Sequence, residues 1–252
     1  MRILKSIALS SLIGLTLLGA EARAQQVTIA VAANFTEASR EIAARFEKAT
    51  GHTTKISYGS TGKLYSQIEF GAPFEVFLAA DTQRPSKAEE AGLAVPGSRF
   101  VYARGKLVLW SAKPDRFESG ESFLRAGEFE HVALANPKTA PYGLAAKQVM
   151  LHLGVLEQLT PKLVQGDSVA QTFQFAATAN ADAGFVALSQ TRSWKGDRGT
   201  LWRIPVDYYA SIEQAAVLLK KGETNPAAAA YLEFLKSDAA REVIERFGYG
   251  VE

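Results

Sequence analysis

The sequence predicts an α/β protein of two lobes, each a mostly parallel sheet flanked by helices, joined by a two-segment hinge. Three observations predict it. Strands and helices alternate over residues 27–80, a second set of strands and helices follows residue 130, and two extended stretches near residues 100–111 and 208–219 let the chain cross between lobes and return.

Val27 to Ala33 is apolar except for Thr28, the pattern of a strand buried on both faces. From Thr36 to Ala49, residues Ala38, Ile42, Ala43, Phe46 and Ala49 recur at helical spacing, and Gly51 supplies a stop. Thr54 to Tyr58 reads as a second strand, Leu64 to Phe70 as a helix closed by Gly71, and Glu75 to Ala80 as a third strand. Crossovers of this β-α-β-α-β kind build a parallel sheet with helices on its faces. Ser86 to Ala91 is a further helical stretch, and Phe100 to Ser111 is extended but broken at Arg104-Gly105, where the chain can change lobe. Val132 to Ala135 is a strand, Gly143 to Leu153 and Val169 to Ala177 are helices, and Gly184 to Leu188 is a buried strand. Tyr208 to Ala210 and Gln214 to Leu219 form the second crossing, after which Asn225 to Leu235 and Asp238 to Phe247 return to helix. With no internal repeat or low-complexity linker, the arrangement places residues 25–103 plus 213–252 in lobe I and 104–212 in lobe II, with a cleft between them.

The first 24 residues stand apart from the fold. Arg2 and Lys5 precede an apolar run from Ile7 to Leu18, and Ala22-Arg23-Ala24 is a small-x-small cleavage site, as in a secretory signal peptide. The run is shorter than the roughly 20 residues that span a bilayer, and no later segment is as long without charges, so a soluble exported chain is expected. There is no cysteine, which excludes disulfides, thiolate chemistry and cysteine-ligated metals, and favours a chain free in a periplasm over a lipid-anchored one. The leader carries Arg2, Lys5 and Arg23 against Glu21, so removing it from 28 basic and 26 acidic residues leaves 25 of each. A chain of zero formal charge has no global field to attract nucleic acid, and any anion binding has to be local.

Local anion sites are what the strand-to-helix junctions offer. The first runs into Asn34 and the second into Gly59-Ser60-Thr61-Gly62; at such a junction unpaired backbone N–H groups and the positive end of a helix dipole point at one spot. Asn34 is also a good N-cap residue, and the second junction is also a plausible plain turn. Lys63 invites comparison with a phosphate-binding P-loop, but Leu64 stands where that motif needs Ser or Thr, and its first glycine is missing. Ala140-Pro141-Tyr142-Gly143 makes a third junction, where Tyr142 either donates its phenolic O–H or packs over the turn. At a fourth, Asp167 or Ser168 caps the helix and Val169 contributes an amide N–H if that helix end faces the cleft. Enzyme signatures are weaker. His52, His131 and His152 are isolated, the nucleophile elbow and the dinucleotide cradle are missing, and carboxylates such as Glu75 and Asp81 fit capping or solvated roles better than a catalytic pair.

These junctions, in this order, resemble the periplasmic molybdate-binding proteins of ABC importers. The likeness runs from about Val27 to the end, through Ala-Ala-Asn-Phe at 32–35, Gly-Ser-Thr-Gly at 59–62, Gly-Ala-Pro-Phe-Glu-Val-Phe at 71–77 and Ala-Ala-Asp at 79–81. It continues through Gly-Lys-Leu-Val-Leu-Trp-Ser-Ala at 105–112, Asn-Pro-Lys-Thr-Ala-Pro-Tyr-Gly at 136–143, Gly-Phe-Val-Ala-Leu at 184–188 and Arg-Phe-Gly-Tyr at 246–249. The resemblance implies a two-lobed, type II-like periplasmic binding fold that holds a tetrahedral oxyanion in the interlobe cleft by amides and hydroxyls. No catalysis, cofactor or metal is implied apart from the molybdenum of the anion itself. Carried over by position, the ligands are Asn34 with the Ala33 amide, Thr61 with Ser60, Tyr142 and the Val169 amide. Some relatives carry a donor tyrosine in the strand matching Gly184 to Leu188, where this chain has Ala187 and Leu188; Tyr142 then supplies the hydroxyl from another direction. The expected partners are molybdate or tungstate and a membrane permease, with the receptor a monomer. The alternatives are a receptor for another oxyanion or small anionic solute and, from a different class, an exported hydrolase.

Overall fold

The computed structural model describes residues 24–251; the expected leader, apart from residue 24, lies outside the described residues. In chain order the elements are β1 (Gln26–Ala32), α1 (Thr36–Thr50), β2 (Thr53–Gly59), α2 (Thr61–Glu69), β3 (Val76–Leu78), α3 (Gln83–Glu90), β4 (Phe100–Gly105) and β5 (Leu107–Ser111). They continue as α4 (Gly120–Ala126), β6 (Val132–Ala135), α5 (Pro141–His152), α6 (Leu156–Leu159), β7 (Leu163–Gly166), α7 (Val169–Ala177), β8 (Ala183–Ala187) and α8 (Leu188–Ser193). The chain closes with β9 (Thr200–Arg203), β10 (Ile212–Leu218), α9 (Pro226–Leu235) and α10 (Asp238–Arg246). Two five-stranded sheets result, in the orders β2-β1-β3-β10-β4 and β7-β6-β8-β5-β9.

The two-lobed α/β class is the one expected, but the sheets are mixed and not mostly parallel. In the first, β1 runs parallel to β2 and β3, while β10 runs against β3 and β4. In the second, β6 runs parallel to β7 and β8, while β5 runs against β8 and β9. The reason for the first sheet is connectivity. β4 leads the chain out towards the other sheet and β10 leads it back, so the two lie side by side in opposite directions, with Ile212 paired to Gly105.

Local chemistry explains where the element boundaries depart from the sequence reading. Apolar periodicity in α2 begins at Leu64, so its first turn, Thr61 to Lys63, is invisible to pattern. Pro141 opens α5, where its fixed φ and missing N–H suit the first helical position. The strand expected through Leu188 ends at Ala187, and α8 starts there; the Ala187 N–H donates to the Gln190 side-chain oxygen at 3.0 Å. Tyr208, expected to begin an extended crossing, instead ends a 3-10 turn, Val206–Tyr208.

The burial of β1 bears out its reading as a strand covered on both faces. Ile29 and Val31 pack with Ile42, Phe46, Tyr231 and Val243 of α1, α9 and α10, while Ala30 faces Leu64, Ile68 and Ala88 of α2 and α3. The core of the second sheet, with Leu107, Leu134, Tyr142, Ala146 and Phe185, takes in Ala32, Ala33 and Ala80 from the ends of β1 and β3. The cores of the two lobes therefore touch where those strands end.

Gly143 sets the seating of α5. A Cβ there would lie 2.1 Å from the carbonyl oxygen of Ala135 at the end of β6, so only glycine lets the helix approach the strand this closely. Gly143→Ala is expected to lower unfolding stability by about 1–3 kcal/mol, the usual range for overpacking; denaturant titration of both proteins checks it.

Candidate functional site

Three helix N-termini meet at the junction of the lobes. The Gly62 N–H, in the first turn of α2, donates to the carbonyl of Thr139 just before α5 at 2.8 Å. Lys63, also in that turn, pairs with Asp167 just before α7 at 2.8 Å. Arg84 adds a bond to the Lys138 carbonyl at 3.1 Å. Every α-helix leaves its first N–H groups without an intrahelical partner, and its dipole makes that end positive. Three such ends held together make an electropositive spot without needing a charged side chain at its centre.

The hydroxyls at this meeting are short of partners. Ser60, at the N-cap position of α2, uses no side-chain capping bond, and its buried Oγ has no hydrogen-bond partner among the described residues. Thr139 Oγ1 is in the same condition. Leaving a buried hydroxyl unpaired costs about 1–3 kcal/mol, so two of them at one spot are a marker of a site. Thr61 Oγ1 accepts from the Ala80 N–H at 3.0 Å, which leaves its proton to donate elsewhere. Ser168 caps α7 with its own side chain, accepting from the Gln171 N–H, and Val169 follows as the first helical residue, buried beside Ala33 and Tyr142.

Asn34 does not cap its helix. It lies in a 3-10 turn, Ala33–Phe35, and its side-chain amide donates to Gln214 Oε1 at 2.9 Å and to the Tyr249 hydroxyl at 3.1 Å. Both of its side-chain N–H groups are therefore engaged within the protein, and the backbone N–H groups of this turn are what it can offer a ligand. Gln214 also accepts from the Tyr102 hydroxyl at 3.1 Å, and its own N–H donates to the Tyr142 hydroxyl at 3.3 Å. The Tyr249 hydroxyl donates to the Asn34 carbonyl at 2.7 Å, which also accepts from Ser189 Oγ at 3.0 Å. Phe35 wedges edge-on against Tyr102 and Tyr249, with ring centroids 4.9 and 5.2 Å apart, and so holds both hydroxyls in place.

Burial holds the Tyr142 hydroxyl far above its ordinary ionisation range, and the neighbouring Tyr249, Tyr102 and Tyr209 add to the shift. It stays a neutral donor at any physiological pH, and cannot become a phenolate that would repel an anion. The structure links Asn34 and Tyr142 through Gln214, puts Ala33, Tyr142 and Val169 in one core, and sets Ser60 and Thr61 on the turn tied to Thr139. Where some relatives of the family carry a tyrosine, β8 ends in Ala187; Ser189, two residues on, is committed to Asn34. Sequence reading missed Thr139, Gln214 and Ser189 as members of this constellation. Gln214 had a signal, being the polar residue of the apolar run Gln214 to Leu219. Among the described residues no group of three or more His, Cys, Asp or Glu is placed to hold a metal ion.

Residues 27–250 match the family described as bacterial extracellular solute-binding protein. The molybdate-binding protein of Azotobacter vinelandii is 52% identical over 251 residues, covering 98% of this chain and all of that protein. That of Rhodobacter capsulatus is 54% identical over 245 residues, covering 97% and 95%. Among solved structures, a periplasmic molybdate-binding protein of Azotobacter vinelandii superposes with a TM-score of 0.86 at 41% identity, covering 90% of this chain and 99% of that one. A sulfate-binding protein of Mycobacterium tuberculosis, at a TM-score of 0.76 and 11% identity, shares the fold.

Tyr102, Tyr142 and Tyr249 all hold their protons more tightly in the folded chain than in the unfolded one, chiefly because they are buried. The stability they carry is whole below the unfolded value of about 10 and is lost as pH rises past it. Unfolding free energy is therefore expected to fall steeply above about pH 10, and less steeply in Tyr142→Phe; denaturant titrations across the alkaline range measure both slopes.

Proposed function

The chain belongs to the bacterial extracellular solute-binding proteins, and we propose that it captures molybdate, and also tungstate, between its lobes and delivers it to an ABC importer. The observation that carries this reading is the Ser60 hydroxyl, buried without a partner where three helix N-termini are tied across two sheets. The choice of anion is supported by the two relatives named for molybdate, which are more than half identical over nearly the whole chain.

The ligand set is the hydroxyls of Ser60, Thr61 and Tyr142, the Val169 amide, and the amides of Ala33 and Asn34, with Thr139 Oγ1 as a further donor. All of them give hydrogen bonds. Molybdate and tungstate are fully deprotonated at neutral pH and take only donors, whereas phosphate carries a proton that needs an acceptor. Two acidic groups beside these turns, Asp81 and Asp167, are paired with Arg84 and Lys63. Phosphate is rejected by its unpaired proton and sulfate by its smaller size, while molybdate and tungstate are close enough in size to bind alike.

Donors come from both sides of the cleft, so the anion binds the closed arrangement better than an open one. Lobe I, expected as residues 25–103 with 213–252, also takes Arg104, Gly105 and Ile212 from the expected lobe II of 104–212, because they pair in β4 and β10 of its sheet; the hinge is then Lys106 and residues 204–211. The closed form is the state a permease recognises. The protein works as a periplasmic monomer after removal of its leader and needs no cofactor.

Calorimetric titration of residues 25–252 is expected to show one molybdate and one tungstate per chain, with sulfate and phosphate far weaker; absence of heat with molybdate would contradict the reading. Ser60→Ala is expected to weaken molybdate by about 5- to 150-fold, the equivalent of one lost contact. Its ligand-free stability is expected to hold or to rise, by up to about 1–3 kcal/mol, since the hydroxyl is buried and serves no partner in the protein.

A further inference from the structure

We propose that the mature chain closes its own N-terminus, with Gln25 cyclising to pyroglutamate and His52 moving the proton. Removal of the leader after Ala22-Arg23-Ala24, part of the reading above on which this rests, frees the α-amino group of Gln25. Neither residue belongs to the anion site.

The fold holds the backbone of residue 25 at both ends. Its nitrogen donates to His52 Nδ1 at 3.1 Å, and its carbonyl accepts from the Thr53 N–H at 3.0 Å. Pairing of Gln26 with Thr53, the first step of the β1–β2 ladder, fixes the register that makes both contacts. His52 is itself set. It is buried, with its ring tilted against Phe46 at 6.1 Å between centroids and its backbone N–H bonded to Thr50 Oγ1 at 3.2 Å. An imidazole nitrogen that accepts a hydrogen bond carries no proton of its own, so Nδ1 is able to receive one. The Gln25 side chain is the loose part: the residue is exposed, and its carboxamide makes no hydrogen bond among the described residues.

These are the parts of an intramolecular acyl transfer. Rotation about the side-chain bonds brings Cδ to the α-nitrogen and closes a five-membered ring, and two groups on one residue need no encounter to react. The α-nitrogen attacks Cδ, the N–Cδ bond forms and the Cδ–Nε2 bond breaks. The attacking nitrogen gives up one proton, and the leaving nitrogen needs one to depart as ammonia. His52 takes the first through Nδ1 and returns it to Nε2, as general base and then general acid. Atoms and charge balance within the chain, with no oxidant or second substrate. The product protects the sheet. Gln25 alone separates the new terminus from β1, the strand between β2 and β3 that runs into the turn Ala33–Phe35. A lactam has no α-amine, so an aminopeptidase that starts from one cannot shorten that strand.

The test uses the full chain with a protease site placed before Gln25, cleaved in vitro to free that residue and followed by intact mass without added enzyme. The parent is expected to lose one ammonia per chain, at least about tenfold faster folded than in guanidinium chloride at the same pH, where His52 is no longer placed. His52→Gln keeps an acceptor for the N–H but cannot shuttle a proton, and is expected to fall to the unfolded rate. Equal rates in folded and unfolded parent would overturn the proposal, and this comparison stands even if His52→Gln does not fold. Fragment mass spectrometry of the protein exported to a periplasm completes the test. A chain that begins at residue 25 and is lighter by one ammonia supports the proposal, and one that begins there with a free amine overturns it. A chain that begins elsewhere overturns it together with the expected cleavage site.

Discussion

A helix cannot satisfy its own first N–H groups, and this molecule points three helix ends at the seam between two sheets. The first turn of α2 is bonded to the loop before α5 and ion-paired to the loop before α7, so the ends of lobe II close against an end from lobe I. Much else serves this placement. Small residues at the tips of β1 and β3, Ala32, Ala33 and Ala80, let the two cores touch. Pro141 and Gly143 start and seat α5, and the Ser168 side chain caps α7 so that Val169 opens a clean helix end. The positive ends of backbone dipoles supply the attraction, which is why a mature chain of zero formal charge can serve an anion.

The polar network around Asn34 gives this placement its chemistry. Six buried or nearly buried side chains, Asn34, Tyr102, Tyr142, Ser189, Gln214 and Tyr249, bond to one another in a continuous set that links both lobes to the crossing strand. Buried networks of this kind stay favourable only when their members are paired. Here Gln214 carries the pairing from Asn34 and Tyr102 to Tyr142, and Tyr249 carries it to Ser189.

Much of this was legible in the sequence. The buried strands Val132 to Ala135 and Val27 to Ala33, and the helix Val169 to Ala177, show themselves through periodicity and stop signals, because burial on known faces dictates residue type. The junctions that carry the site were visible as small polar residues between a strand and a helix. What was hidden depends on long-range pairing. Short elements such as α4, β7 and β9 have too few residues to show a period, and strand direction is set by the crossings and not by composition. Asn34 read as a cap because asparagine usually caps; its amide partners are 180 and 215 residues further along the chain. Thr139 sat in plain view inside Asn-Pro-Lys-Thr, but only the fold shows that its hydroxyl is buried and unpaired.

Everything above puts the anion where the ends of α2, α5 and α7 meet, held by donors from both lobes. Anomalous diffraction at the molybdenum edge, from crystals grown with molybdate, locates the metal atom directly. The account predicts one peak at that meeting point, with oxygen atoms within about 3 Å of Ser60 Oγ, the Tyr142 hydroxyl and the Val169 amide. A peak elsewhere, such as the cavity lined by Trp110, Asp115 and Trp202, would contradict it.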